Sequence, residues 1–108
     1  MATVNGVGPD APIVTLEGGG RQSQTPARLD LIPMRALLHV GAILQEGAAK
    51  YGINNWRSIP VESHLNKAMI HIAAFLLGDT QDDHIGHACC RLQMALEKHL
   101  MNLEAKSE

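Results

Sequence analysis

Aromatic side chains are scarce in this 108-residue chain: Trp56, Tyr51 and Phe75 are the only three. A core without aromatic bulk must be built from aliphatic, Ala and Met side chains, which helix-on-helix packing accommodates. Cysteine is confined to Cys89 and Cys90. Adjacent cysteines cannot form an ordinary disulfide, and they lack the spacing of a zinc-binding Cys-x-x-Cys pair. Nothing therefore indicates an oxidising compartment, and both thiols are expected to serve as small apolar groups buried on a helix. Positive charge is not in excess, since the net charge is −2 with neutral histidines. That excludes the global basic field of a nucleic-acid-binding protein. No apolar run approaches the roughly 20 residues needed to span a bilayer. The N-terminus also lacks the basic-then-apolar pattern of a signal peptide. These absences lead to the expectation of a cytoplasmic protein with neither a membrane nor a nucleic-acid polymer as partner.

What is present suits a folded domain: 45% apolar and 19% charged residues in a length that fits one modest core. Residues 1–16 read as a flexible N-terminal arm, with P-I-V-T-L-E (Pro12–Glu17) as one short strand. The run Gly18–Gly20 is expected to stop that strand. Residues 17–104 read as a single all-α domain and residues 105–108 as a frayed tail. The first helix spans Leu31 to Tyr51, with Asp30 as a candidate cap and Pro33 in the first turn. Gly41 and Gly47 inside it each cost about 1 kcal/mol relative to Ala, which points to close approach of another helix or a ligand. The helix ends at Gly52. A second helix, Val61 to Leu77, is apolar nearly all round and is expected to be buried on more than one side. Gly78 fits the position just past its end, where positive φ is required. A third helix runs from near Asp82 to about Glu104, with Asp79, Thr80 and Asp82 as candidate caps. Three helices so apolar are hard to cover in one short chain. A helical-bundle homo-oligomer, a homodimer or homotetramer, is the expected resolution.

Ionisable residues interrupt each helix at helical spacing. His39, Glu46 and Lys50 lie near one stripe; His64, Lys67 and His71 share another; Asp83, His87 and Arg91 form a third, with His84 beside it. Such stripes face solvent or face one another, because unpaired buried charge is expensive. Lys67 and Lys98 are expected on solvated faces. The stretch G-D-T-Q-D-D-H-I-G-H-A-C-C-R (Gly78–Arg91) concentrates three carboxylates, two imidazoles and a guanidinium at a helix junction. Carboxylates clustered there can hold Mg²⁺ or Mn²⁺, and added imidazoles tilt the preference towards Mn²⁺ or another transition metal. Arg91, Lys50, Arg57 and Arg21 are then available for phosphate oxygens, and Trp56 for stacking on a base.

The segments G-G-R-Q-S (Gly19–Ser23), R-L-D-L-I-P (Arg28–Pro33), E-G-A-A-K-Y-G-I-N-N-W-R (Glu46–Arg57), H-L-N-K-A-M-I-H-I (His64–Ile72) and Gly78–Arg91 occur in that order. Together they resemble the phage-associated dATP/dGTP diphosphohydrolase N-terminal family, a relative of the MazG-like all-α pyrophosphohydrolases. The resemblance covers roughly Glu17 to Leu100, and K-Y-G-x-x-N-W combined with D-H-I-G-H-A is its specific part. It implies a helical oligomer, in the host cytoplasm if phage-encoded, that cleaves a purine deoxynucleoside triphosphate to monophosphate and pyrophosphate with Mg²⁺ or Mn²⁺. On that expectation Glu46, Asp79, Asp82 and Asp83 are the metal carboxylates. His71 and His87 serve as a further ligand or general base. Arg21, Lys50, Arg57 and Arg91 hold phosphates, and Asn55 and Trp56 contact sugar or base. MazG-like enzymes carry E-x-x-E on one helix and E-x-x-D on the next. Here Glu46 stands alone with Lys50 after it, and D-H-I-G-H (Asp83–His87) replaces the second acidic motif. A nucleotide-sequestering protein of the same fold is the alternative.

Overall fold

The computed structural model describes Val4 and residues 6–107; the residues of the expected N-terminal arm that precede Val4, together with Asn5, lie outside the described residues. The described chain divides into two compact units, Met1–Pro33 and Met34–Glu108.

In the first unit, strand β1 (Ile13–Thr15) pairs antiparallel with β2 (Arg21–Ser23), placing Ile13 opposite Ser23 and Thr15 opposite Arg21. The glycine run turns the strand back on itself. Gly19 adopts φ +90°, and Leu16 N–H donates to Gly20 C=O at 2.7 Å across the turn. Only glycine adopts that φ without steric cost, so the sequence that ends one strand also begins the next. Asp30 does not cap a helix. It lies in a 3₁₀ turn, Leu29–Leu31, where Arg28 grips its carboxylate at 2.7 and 2.8 Å.

The second unit is helical: α1 (Met34–Tyr51), a 3₁₀ turn (Asn55–Ser58), α2 (Val61–Leu76) and α3 (His84–Ser107). α1 stops where Gly52 takes φ +98° and its N–H bonds to Ala48 C=O at 2.9 Å. α2 stops in a Schellman arrangement: Gly78 at φ +85° donates to Phe75 C=O, and Asp79 N–H reaches back to Ala74 C=O, both at 3.0 Å. α3 continues through Ser107, whose hydroxyl donates to Glu104 C=O at 2.9 Å.

α3 is the central helix, packing along α2 and more briefly against α1. Small residues make this contact, with Gly86, Ala88, Cys90 and Ala95 of α3 buried opposite Ala68 of α2 and Val40 of α1. The tightest approach is at Gly86, where an added Cβ would stand 2.7 Å from Ile43 Cδ1 and 2.2 Å from Asp83 Oδ2. Nothing lies within 4 Å of the corresponding position at Gly41 or Gly47, so the close approach expected of those glycines falls at Gly86 instead. The expectation that α2 is buried on several sides is not met within one chain. Met69, Ile70, Phe75 and Leu76 are 51–77% exposed, because α3 covers only the face that carries His64 and Ala68. Of the two thiols Cys90 is buried and Cys89 exposed, as one-residue neighbours on a helix must differ in direction.

Gly86→Ala is expected to lower stability by about 1–3 kcal/mol, because a methyl at a filled contact forces its neighbours apart. That outweighs the gain of up to about 1 kcal/mol from replacing a helical glycine. Urea denaturation of the two proteins measures the difference; an unchanged or raised midpoint would refute the close-packing account.

Candidate functional site

The site is organised by the first turn of α3. Asp83 is its N-cap: Oδ1 accepts from Gly86 N–H at 3.1 Å, satisfying a donor that the helix itself leaves unpaired. Its other oxygen pairs with His39 Nε2, tying the cap to α1. Of the candidate caps read from the sequence, Asp79 instead forms a turn, with Oδ1 accepting from Gln81 N–H at 2.9 Å and Oδ2 from the Gln81 amide at 3.1 Å. Asp82 Oδ1 accepts from Asp83 N–H at 2.8 Å.

This capped turn brings Asp82 and His87 to His71 of α2. One ligand atom from each of the three lies within 4.8 Å of the others, a geometry able to hold a metal ion. The donor set fits a divalent cation with affinity for nitrogen and oxygen. The His71 and His87 rings are stacked, 5.3 Å between centroids at 24°, and His87 Nε2 is 3.5 Å from Asp82 Oδ1. Burial, followed by the neighbouring His87, pushes the His71 pKa below its ordinary value. Behind it stands His84, only 10% exposed, with Nδ1 3.0 Å from His71 Nδ1 and Nε2 2.7 Å from Asp79 Oδ1. The hydrogen bond from His84 holds the Asp79 carboxyl below the usual carboxylate range.

The three side chains open onto a cavity of about 580 Å³ between the end of α1, the 3₁₀ turn, α2 and α3. That volume lies within the usual range for a small-molecule site. Glu46, Lys50, Asn55, Trp56, His71, Asp82, His87 and Arg91 all line it. Lys67, expected on a solvated face, lines it as well, so three cationic side chains meet two carboxylates there. Arg57 is outside the lining, its guanidinium 5.0 Å from the Trp56 ring centre. Asp79 and Asp83 also lie outside the lining, engaged by His84 and His39 respectively. Arg21 sits exposed on β2 in the other unit. Lys98, also expected in solvent, donates to Ile59 C=O, where the chain enters α2.

Sequence reading assigned no role to His64, which is fully buried. Its Nε2 is 3.0 Å from Trp56 C=O and its Nδ1 is 3.2 Å from Arg91 Nη1. A carbonyl only accepts and a guanidinium only donates, which fixes the tautomer: Nε2–H donates to Trp56 and Nδ1 accepts from Arg91. One ring thus couples the turn carrying Trp56 to the guanidinium on α3. The available signal was a His at seven-residue spacing from His71 on an otherwise apolar helix.

The dATP/dGTP diphosphohydrolase, N-terminal, family matches residues 17–108. The chain belongs to that family. The match takes in every residue of the cavity and all three helices around it. No curated protein and no solved structure matches the chain. Family membership together with the His/Asp triad supports a hydrolase function in general terms. Among the described residues no helix is long and apolar enough to cross a membrane.

The hydrogen bond from His39, and after it the Gly86 N–H, hold the Asp83 carboxyl below the usual carboxylate range. The native state then binds fewer protons than the unfolded chain, where Asp titrates near about 3.9. The stabilisation is complete above that value and is lost as pH falls through the lower native one. Asp83→Asn keeps a capping oxygen and removes the charge. The melting-temperature gap between wild type and variant, followed by circular dichroism, is expected to be widest near neutral pH and to close at acid pH. A gap that does not vary with pH would show that the charge contributes nothing.

Proposed function

We propose that the helical unit binds a purine deoxynucleoside triphosphate in this cavity and hydrolyses it to the monophosphate and pyrophosphate with a divalent metal, Mg²⁺ or Mn²⁺. The observation that carries the reading is the cavity itself, which joins a His71/Asp82/His87 triad to Lys50, Lys67, Arg91 and Trp56. A divalent ion bound at the triad supplies Lewis-acid polarisation of a phosphoryl oxygen. Arg91, held by His64, presents its remaining N–H donors to phosphate oxygens, and the two lysines add point charges. Half-buried Trp56 offers a ring face to the base, with Asn55 beside it. Glu46 is the lining carboxylate outside the triad and can take a proton from the attacking water. Water adds at the α-phosphorus, the bond to the bridging oxygen breaks, and pyrophosphate leaves. Asp79 and Asp83 serve this reading by orienting His84 and capping α3. Incubating the protein with each deoxynucleoside triphosphate and Mg²⁺ or Mn²⁺, then separating products by ion chromatography, should show pyrophosphate and monophosphate with dATP or dGTP. Failure to release pyrophosphate under any combination would refute hydrolysis; an intact bound nucleotide recovered instead would favour sequestration.

The partner that covers the apolar faces is, in our reading, a second copy of the chain. On α2, Leu65, Met69, Ile72 and Leu76 recur at helical spacing and are 39–77% exposed; on α3, Leu92, Leu96, Leu100 and Leu103 do the same at 45–56%. Two such stripes on adjacent helices make a self-complementary surface, and a copy of the same chain is always on hand to cover it. Light scattering on the eluting protein should give at least twice the chain mass of 11.7 kDa. Leu96→Glu combined with Met69→Glu should shift it towards monomer. A wild-type protein that elutes as monomer would refute self-association.

A further inference from the structure

Two residues outside the cavity lining, Asp79 and His84, make a hydrogen-bonded chain that ends on a triad member. Asp79 Oδ1 accepts from His84 Nε2 at 2.7 Å, and His84 Nδ1 meets His71 Nδ1 at 3.0 Å. An ionised carboxylate can only accept, so His84 Nε2–H donates to Asp79. With Nδ1 of His71 engaged by His84, Nε2 is the ring nitrogen it can offer to a metal held with Asp82 and His87, and coordination there leaves the His71 proton on Nδ1 to donate to His84.

We propose that Asp79 and His84 are positioning residues that fix His71 in its Nε2-coordinating tautomer, making the triad a transition-metal site that discriminates against Mg²⁺. The inference rests on the reading of the triad as a metal site and narrows the choice of ion there. Mg²⁺ demands near-octahedral oxygen coordination, whereas imidazole nitrogen suits Mn²⁺, Fe²⁺, Co²⁺ and Zn²⁺. Two imidazoles and one carboxylate leave open positions for ligand oxygens. A carboxylate behind a coordinating imidazole sets its orientation and raises its basicity. Here that effect passes through a second imidazole. His84 has no room to turn away, being 10% exposed and held at both ring nitrogens.

The test uses full-length protein stripped with a chelator and titrated with Co²⁺, Mn²⁺ and Mg²⁺ by calorimetry. The visible absorption of bound Co²⁺ gives a second readout. Wild type should bind Co²⁺ and Mn²⁺ at least about tenfold more tightly than Mg²⁺. Asp79→Asn and His84→Gln should each weaken Co²⁺ binding by about 10–100-fold and change its absorption band. Asp79→Asn, on the junction before α3, carries the test should His84→Gln fail to fold. Co²⁺ affinity and spectrum unchanged in Asp79→Asn would overturn the relay while leaving the metal site standing. Equal affinity for Mg²⁺ and Mn²⁺ would overturn the selectivity, and absence of Co²⁺ binding by wild type would overturn the triad itself. None of these readouts depends on nucleotide hydrolysis, so a protein that binds Co²⁺ through the relay without releasing pyrophosphate would separate the two readings.

Discussion

The hydrogen bond between the Asp83 carboxylate and Gly86 N–H governs the rest of the structure. Such a cap contributes about 0.5–2 kcal/mol to a helix. Its larger consequence is geometric. It sets where α3 begins and therefore the direction in which His84, His87 and Arg91 project along the helix. Because the other Asp83 oxygen is bonded to His39, the same carboxylate fixes α1 against that starting point. Gly86 allows the approach: with no Cβ it admits both Ile43 and the capping carboxylate. Cap, cross-link and close contact are therefore one arrangement. Displacing Asp83 would move both flanking positions, Asp82 and His84, on which the triad and its support depend.

The electrostatics of the cavity divide the ionisable groups into two layers. In the outer layer each carboxylate already has a partner, Asp79 with His84 and Asp83 with His39, and both carboxyls are shifted towards the charged form by those partners. In the inner layer Asp82 and Glu46 face Lys50, Lys67 and Arg91. His64 sets the position of Arg91 through a bond at 3.2 Å, and because it is buried it cannot exchange that bond for water. Leaving a buried ring nitrogen unpaired would cost about 1–3 kcal/mol. That cost resists any swing of the guanidinium away from the cavity. The charge placement thus follows from which groups are already satisfied before a ligand arrives.

Much of this was legible from residue types alone. Positive φ at Gly52 and Gly78 follows from their place after long helical periods, and the order of three helices follows from apolar recurrence. The family was legible from two spaced motifs, and its match spans residues 17–108. The cap was not. The sequence pointed to Asp79, Thr80 or Asp82, and the residue that caps α3 is Asp83; the three aspartates are equivalent by propensity, and only the path of the turn decides among them. Nor was the central helix: α2 is the more apolar, yet α3 carries the small residues Gly86, Ala88, Cys90 and Ala95 that let helices approach. Hydrophobicity reports what needs covering; residue size reports what can be approached. The roles of Lys67 and His64 were hidden because one-dimensional spacing cannot say which of two stripes on a helix faces its neighbour.

The imidazoles that stand in the first turns of α3, where the resemblance leads one to expect acidic side chains, have a physical logic. A cluster of four or more carboxylates must be neutralised by several metal ions before a polyanionic ligand can approach, because unscreened like charges repel at close range. On the proposed reading, a cavity lined by two carboxylates, two imidazoles and three cations starts closer to what a triphosphate would require. Fewer ions would then be needed, and each could be held by softer donors whose geometry is set by neighbouring rings rather than by charge alone. The same substitution transfers control from ion concentration to ring orientation. Orientation must be built, and the stacked His71 and His87 rings with His84 behind them are the structure that builds it. In a chain with so few aromatic residues, the histidines supply the flat, rigid rings on which a precise site depends.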